Sequence, residues 1–421
     1  MSKVLRRQWV TDVTGGLPRR DRRSCEYDAY VPDPLAERRI SLDGNVAADV
    51  ADAEVAIARL NGEAVALIDT EALARLLLRA EAVASSRIEG VVVGPRRLLH
   101  AEVARGSGAA IGDVTAAEVL GNIDAMVYAL DAVRPGEAIT VDLLLETHRR
   151  LLGTARLHEH AGRVRTEQNW IGGSSYNPCA AVYVPPPPER VPDLLEDLCA
   201  FSNSDDLPAV AQAAIAHAQF ETIHPFVDGN GRTGRALIHL VLRRRGLAPR
   251  VLPPVSLILA TWARDYVAGL TAYRYVGPSS GPAAHAGLNQ WVGLFSASCT
   301  RAVNDALAFE ERATDLERQW RERLGRVRAK SATDLLLRAL PGAPVLTVET
   351  AATLIGRTFK PANDAIERLV DAGVLKQITA GRRNRAFEAP DVIAAFTALE
   401  RRLASPEGDT RTSKPSRAAP A

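Results

Sequence analysis

Twelve residues, HPFVDGNGRTGR from His224 to Arg235, constrain this chain more than any other stretch. Upstream, Ala209 to Ile223 (AVAQAAIAHAQFETI) is rich in helix formers and holds no glycine or proline, so it reads as a buried helix. Pro225 has no amide donor and disfavours helix at the residue before it, which places His224 where that helix ends. Gly229, Asn230 and Gly231 then supply a turn permissive in φ, and Arg232 to Arg244 (RTGRALIHLVLRR) reads as a second helix. A glycine-bearing loop that opens a helix is an anion cradle, because unpaired amides and the positive end of the helix dipole point the same way. Around it, Asp228 can hold magnesium through oxygen, Arg232 and Arg235 stand three apart and can grip phosphate oxygens, and His224 titrates near neutral pH. The residue types and their spacing describe a site that handles phosphate.

The stretch resembles the Fic family motif HPFx(D/E)GNGRxxR and matches it at every specified position. The resemblance implies that His224 deprotonates a target hydroxyl, that Asp228 binds magnesium and that Phe226 anchors the loop in the core. It further implies that Gly229, Asn230 and Gly231 line the anion hole while Arg232 and Arg235 contact nucleotide phosphates. The related Doc kinases carry lysine where this chain has Gly231, which favours nucleotidyl over phosphoryl transfer. The implied activity is that of an ATP-dependent protein adenylyltransferase, moving AMP to a Ser, Thr or Tyr hydroxyl with Mg2+ as cofactor. Thr70 to Ile88 is a helix pattern closed by Gly90, and its end, SSRIEG, is similar to the inhibitory motif (S/T)xxxE(G/N) of many relatives. Ser85 and Glu89 hold the defining places, i and i+4 on one face, and Glu89 is the carboxylate expected to restrain Arg235. Residues 162–184 read as a hairpin-like flap that, in the family, aligns a target segment by strand addition. His148, beside leucines at helical spacing, reads as a packed or capping histidine.

Composition narrows the rest. Over 421 residues, 52 basic and 50 acidic side chains leave a net charge of +2, so overall charge argues neither for nucleic acid nor for an anionic membrane. Aromatics are only 5% while alanine, leucine and arginine abound, which favours an all-α, mainly helical fold. Cys25, Cys179, Cys199 and Cys299 are scattered without a CxxC pair and read as reduced thiols of a cytoplasmic protein. No apolar run suits a membrane span. The expected order is an N-terminal extension (1–60) with a proline-punctuated strap, a helical region (61–112), the Fic core (113–275) and a helical connector (276–330). A winged helix-turn-helix (331–404) and a disordered tail (405–421) complete it. Three helix patterns followed by VLKQI and NRAFEA around Ala380-Gly381 suggest the winged helix, with Thr358, Lys360, Asn363, Arg368, Arg382, Arg383 and Arg385 available to phosphates. Candidate partners are a target protein at the flap, duplex DNA at 331–404 and a second copy of the chain as a homodimer. Two rival readings are a DNA-binding regulator that senses nucleotide through the Fic domain, and a transferase that uses another nucleotide diphosphate donor.

Overall fold

The computed structural model describes residues 1–11, 15–63, 70–106, 108, 110–153, 155, 157–378 and 385–403. The expected wing turn Ala380-Gly381, Arg382, Arg383 and the tail 405–421 lie outside the described residues. Among those described, the chain opens with the antiparallel strands β1 (Lys3–Trp9) and β2 (Cys25–Val31) and continues as helices. These are α1 (Gly44–Glu63), α2 (Thr70–Ile88), α3 (Pro95–Gly106), α4 (Val114–Asp131), α5 (Val141–Leu152), α6 (Val191–Ser202), α7 (Ala209–Ile223), α8 (Asn230–Arg244), α9 (Val255–Thr261), α10 (Ala263–Tyr273) and α11 (Pro282–Leu324). Then come α12 (Ala332–Ala339), β3 (Val345–Thr347), α13 (Val348–Leu354), α14 (Phe359–Asp371), β4 (Lys376–Gln377), β5 (Ala386–Glu388) and α15 (Pro390–Leu403). The fold is mainly helical, as composition required.

Two compact units form, and neither is a continuous stretch of chain. One gathers Met1–Glu54, Tyr128–Leu247 and Arg264–Ala297; the other gathers Val55–Val127, Ala248–Ala263 and Ser298–Ala421. The first is centred on α7, every residue of which is buried. Its alanines let neighbours approach closely: a Cβ at Gly234 of α8 would lie 2.9 Å from Phe220 Cδ1 and 3.2 Å from His217 Nδ1. The Trp291 indole donates to Ala214 O at 2.7 Å, and His217 Nε2 meets the Tyr266 hydroxyl at 2.9 Å, so these two ring nitrogens of the core are engaged.

Two expectations are corrected in this unit and a third is refined. The N-terminal segment is a hairpin rather than a strap, with Lys3 paired to Val31 and Trp9 to Cys25. Its end packs on the segment after 170, where Trp9 meets Trp170 edge to face at 5.3 Å and Asn177 Nδ2 donates to Arg20 O and Asp21 O at 3.1 Å. The hairpin-like flap expected at 162–184 closes through one antiparallel bridge, Ile171 to Tyr183, rather than a longer ladder. Gly172 and Gly173 take positive φ beside it, of 77° and 76°, and Pro178 has no amide to donate, so a regular ladder cannot extend there. Nor are all four cysteines thiols, because Cys25 and Cys179 form a disulfide across 154 residues of sequence, leaving Cys199 and Cys299 buried and free.

In the second unit, α2 packs on α9, and the Glu81 carboxylate accepts from Ser256 N (2.7 Å) and Ser256 Oγ (2.5 Å), capping the first turn of α9. The single helix expected over Val255–Tyr275 breaks at Trp262 (φ −92°, ψ 38°), where the chain leaves this unit for the other. Residues 332–392 build their own cluster around Trp320, Leu336, Ile366 and Phe387, edged by a three-stranded antiparallel sheet ordered β3-β5-β4.

Candidate active site

The site grows from the C-terminus of α7. Its cap, His224, is left-handed (φ 50°, ψ 61°) and donates its amide to Phe220 O at 2.9 Å. For a residue with a Cβ that conformation costs about 1–2 kcal/mol, so neighbours must hold it. The neighbour that does so is Arg165, whose Nε donates to His224 O at 2.8 Å and whose amide donates to Pro225 O at 2.9 Å.

The next four residues turn tightly. Asn230 Oδ1 accepts from Phe226 N and Asn230 Nδ2 donates to Phe226 O, both at 2.8 Å, which closes the loop on itself. The side chain of Asn230 therefore shapes the turn, and its amide remains for an anion. Phe226 is fully buried, as the motif implied, and stacks on the His148 ring at 3.7 Å with an angle of 2° between planes. His148 Nδ1 accepts from Gly162 N at 3.0 Å, which leaves the ring proton on Nε2 to donate to Asp228 O at 2.9 Å. Burial above all pushes this imidazole down to about 4, so it is neutral at physiological pH. The packed histidine of the sequence reading is thus a brace for the loop. Glycine is required at Gly229, with φ 76°, because a Cβ there would lie 2.9 Å from Leu151 Cδ2 and 3.3 Å from the His148 ring.

α8 opens directly on this turn. Its first intrahelical bond is Thr233 N to Gly229 O at 3.0 Å, so the amides of Asn230, Gly231 and Arg232 have no acceptor within the helix, and Gly229 has no side chain to cap them. Arg232 is 4% exposed and pairs through Nη2 with Asp228 Oδ2 at 3.2 Å. Its Nε and Nη1 are buried without a hydrogen-bond partner among the described residues. Two orphaned guanidinium donors beside three helix-start amides form a cradle for phosphate oxygens. Arg235, one helical turn on, is 1% exposed.

No group of three metal-binding side chains occurs among the described residues. Asp228 alone, with its carboxylate 47% exposed, fits a magnesium ion shared with substrate phosphates, which ordinarily takes one or two protein carboxylates.

The structure thus brings His224, Asp228, Gly229, Asn230, Gly231, Arg232 and Arg235 together on one helix–turn–helix junction. Ser85 and Glu89 belong to the other unit. Ser85 is fully buried in α2, and Glu89 sits exposed in the turn where Gly90, at φ 80°, stops that helix. Sequence reasoning missed Arg165 and Asn169, whose Nδ2 donates to Phe226 O at 2.9 Å. Nothing in GRVRTEQN marks them, since both act on backbone carbonyls more than 50 positions away.

Comparison with known proteins covers the junction. Residues 138–242 match the Fic/DOC family and residues 47–131 match the Fic/DOC family N-terminal region. The chain is 34% identical over 175 residues to protein adenylyltransferase fic-1 of Caenorhabditis elegans, covering 40% of this chain and 32% of that protein. It is 38% identical over 142 residues to protein adenylyltransferase Fic of Nematostella vectensis, covering 32% and 30%. The chain therefore spans about a third of the length of the curated relatives it matches. A solved Fic family protein from Desulfovibrio desulfuricans G20 shares the fold, with a TM-score of 0.51 at 21% identity over 83% of this chain and 97% of that one. The motif, the junction that carries it and both matched regions agree that residues 47–131 and 138–242 carry the N-terminal and core regions of the Fic/DOC family.

Proposed function

We propose that this protein is an adenylyltransferase that moves AMP from ATP to a Ser, Thr or Tyr hydroxyl of a target protein. The observation that carries this reading is the junction itself: His224 stands at the end of α7, immediately before a cradle with two unpartnered, buried guanidinium donors. In the reaction His224 takes the hydroxyl proton, the hydroxyl oxygen bonds to the α-phosphorus, the bond from that phosphorus to the bridging oxygen breaks, and pyrophosphate leaves. The helix-start amides, Arg232 and Arg235 offset the charge on the phosphates, so positioning and electrostatics supply most of the acceleration. Asp228, together with phosphate oxygens of the nucleotide, would hold magnesium, which supplies further charge neutralisation when bound. Relatives named as adenylyltransferases support AMP as the transferred group.

The target segment docks beside residues 162–184, and Glu89 restrains the resting enzyme by competing for Arg235. This regulatory part rests on the SSRIEG motif. The order of elements after residue 331 suits a winged helix, but duplex binding has less support. Arg368 Nη2 donates to Arg326 O at 2.7 Å and Arg385 Nη2 to Asn363 Oδ1 at 2.5 Å, so two of the cations expected to meet phosphates are engaged within the protein. These bonds favour a module that packs on protein.

The test is transfer of label from ATP carrying it at the α-phosphate, by wild type and by His224→Ala. A general base contributes about 10²–10⁴-fold, and the variant should fall by that factor while still binding nucleotide. Transfer by the variant at the wild-type rate would overturn the mechanism.

A further inference from the structure

Arg165 is 3% exposed, yet every hydrogen bond its guanidinium makes among the described residues ends on a backbone carbonyl. Nε donates to His224 O at 2.8 Å; Nη2 donates to Pro186 O at 2.6 Å and, at 3.4 Å, to Ile223 O; Nη1 donates to Glu167 O at 3.1 Å. Burial lowers its pKa to about 10, which leaves it charged at neutral pH. A cation withdrawn from water without a paired carboxylate is costly to fold around. What compensates it here is the C-terminus of α7, where the last carbonyls have no helical donors and the dipole is negative.

Those carbonyls are the ones that fix the catalytic histidine. With its amide on Pro225 O at 2.9 Å, Arg165 serves three successive carbonyls, those of Ile223, His224 and Pro225, and Asn169 Nδ2 adds a longer bond to His224 O at 3.4 Å. Asn169 serves the next, Phe226 O, at 2.9 Å. Pro225 gives the stretch no amide of its own to donate, and the left-handed φ and ψ of His224 set the direction in which its imidazole leaves the chain. That conformation lasts only where surrounding groups over-determine it.

We propose that Arg165 is a positioning residue for His224: it holds the left-handed cap of α7, and thereby the imidazole, in register with the phosphate cradle. The inference rests on the reading of His224 as the base, and the experiment separates the two.

AMP transfer is measured for Arg165→Met and Arg165→Lys, each alone and combined with His224→Ala. In Arg165→Met, kcat should fall about 10²-fold, the loss expected when a reacting group shifts by about 1 Å, while the KM for ATP changes little. Arg165→Lys, which can still donate to one carbonyl, should regain part of that loss. In the His224→Ala background Arg165→Met should cost nothing further, because it acts through a side chain already gone. A residue that merely stabilised the fold would lower both backgrounds alike, and that result overturns the proposal, as does wild-type kcat in Arg165→Met. Histidine-selective NMR supplies a reading independent of activity, with the His224 signal assigned by its loss in His224→Ala. That signal should broaden or split in Arg165→Lys; an unchanged signal overturns the positioning role. If the wild-type protein transfers no AMP, the functional reading falls, and the NMR result alone decides whether Arg165 holds His224.

Discussion

Acidification should loosen the active-site loop through His148, and the structure fixes both the sign and the size. The folded imidazole is pushed down to about 4 by burial, whereas the unfolded one titrates near 6.5. Its neutral form therefore contributes stability that is complete above about pH 6.5 and is lost as pH falls toward 4. The difference of about 2.5 pH units corresponds to roughly 3 kcal/mol in all, lost progressively inside that window. His217, pushed down to about 3 by burial first and by Arg235 second, adds a slope of the same sign. Protonation at His148 Nδ1 would turn an acceptor into a donor facing Gly162 N, and the bond to Asp228 O would be carried off with the displaced ring.

The perturbation that isolates this residue is His148→Leu, compared with wild type by urea unfolding at half-unit steps from pH 7.5 to 4.5. At pH 7 the variant leaves a buried amide and a carbonyl without partners and should be less stable by about 1–3 kcal/mol for each. Unlike wild type it takes up no proton at this position, so the gap should narrow by about 2 kcal/mol between pH 6.5 and pH 4.5. Groups that titrate in both proteins cancel in the difference. A gap that stays constant with pH would refute the reasoning, as would an NMR titration that places His148 near 6.5.

Two further outcomes are expected. Glu89→Gly should raise AMP transfer, including onto the protein itself, by about 5–150-fold, the usual reach of a coupling between sites, and adding Arg235→Ala should abolish the gain. Unchanged or lower transfer by Glu89→Gly would leave SSRIEG as a helix end. Cys25→Ser should cost about 2–4 kcal/mol in urea unfolding, because the disulfide closes a very long loop, and dithiothreitol should destabilise wild type but not the variant. Rapid alkylation of both cysteines without reductant would show that the pair is not bonded.

Much of the site was legible because it is local. Seven of its residues fall within the twelve positions from His224 to Arg235, so they stay together whatever the rest of the chain does. Helix limits set by neighbouring residues were equally legible: α7 runs Ala209–Ile223 between Pro208 and Pro225, and α2 ends at Ile88, two residues before Gly90. What was read less well depended on arrivals from far away. A glycine-marked stretch at 162–184 looked like the one hairpin, and it closes through a single bridge while the longer ladder forms between β1 and β2. Scattered cysteines gave no reason to pair, and two of them met across 154 residues.

The sequence by itself determined the helical character, the stop at Pro225, the permissive turn and the order of the candidate phosphate-binding groups, because φ restriction and helical periodicity are properties of adjacent residues. Only the tertiary structure decided how that turn is held. It brought Arg165 to the carbonyls of Ile223 and His224, set the proton of His148 on Nε2, and turned the Asn230 side chain inward to Phe226. The physical reason is that a helix end leaves carbonyls and amides unsatisfied in every context. Which buried group comes to satisfy them depends on how the whole core excludes water, and no short stretch of sequence encodes that.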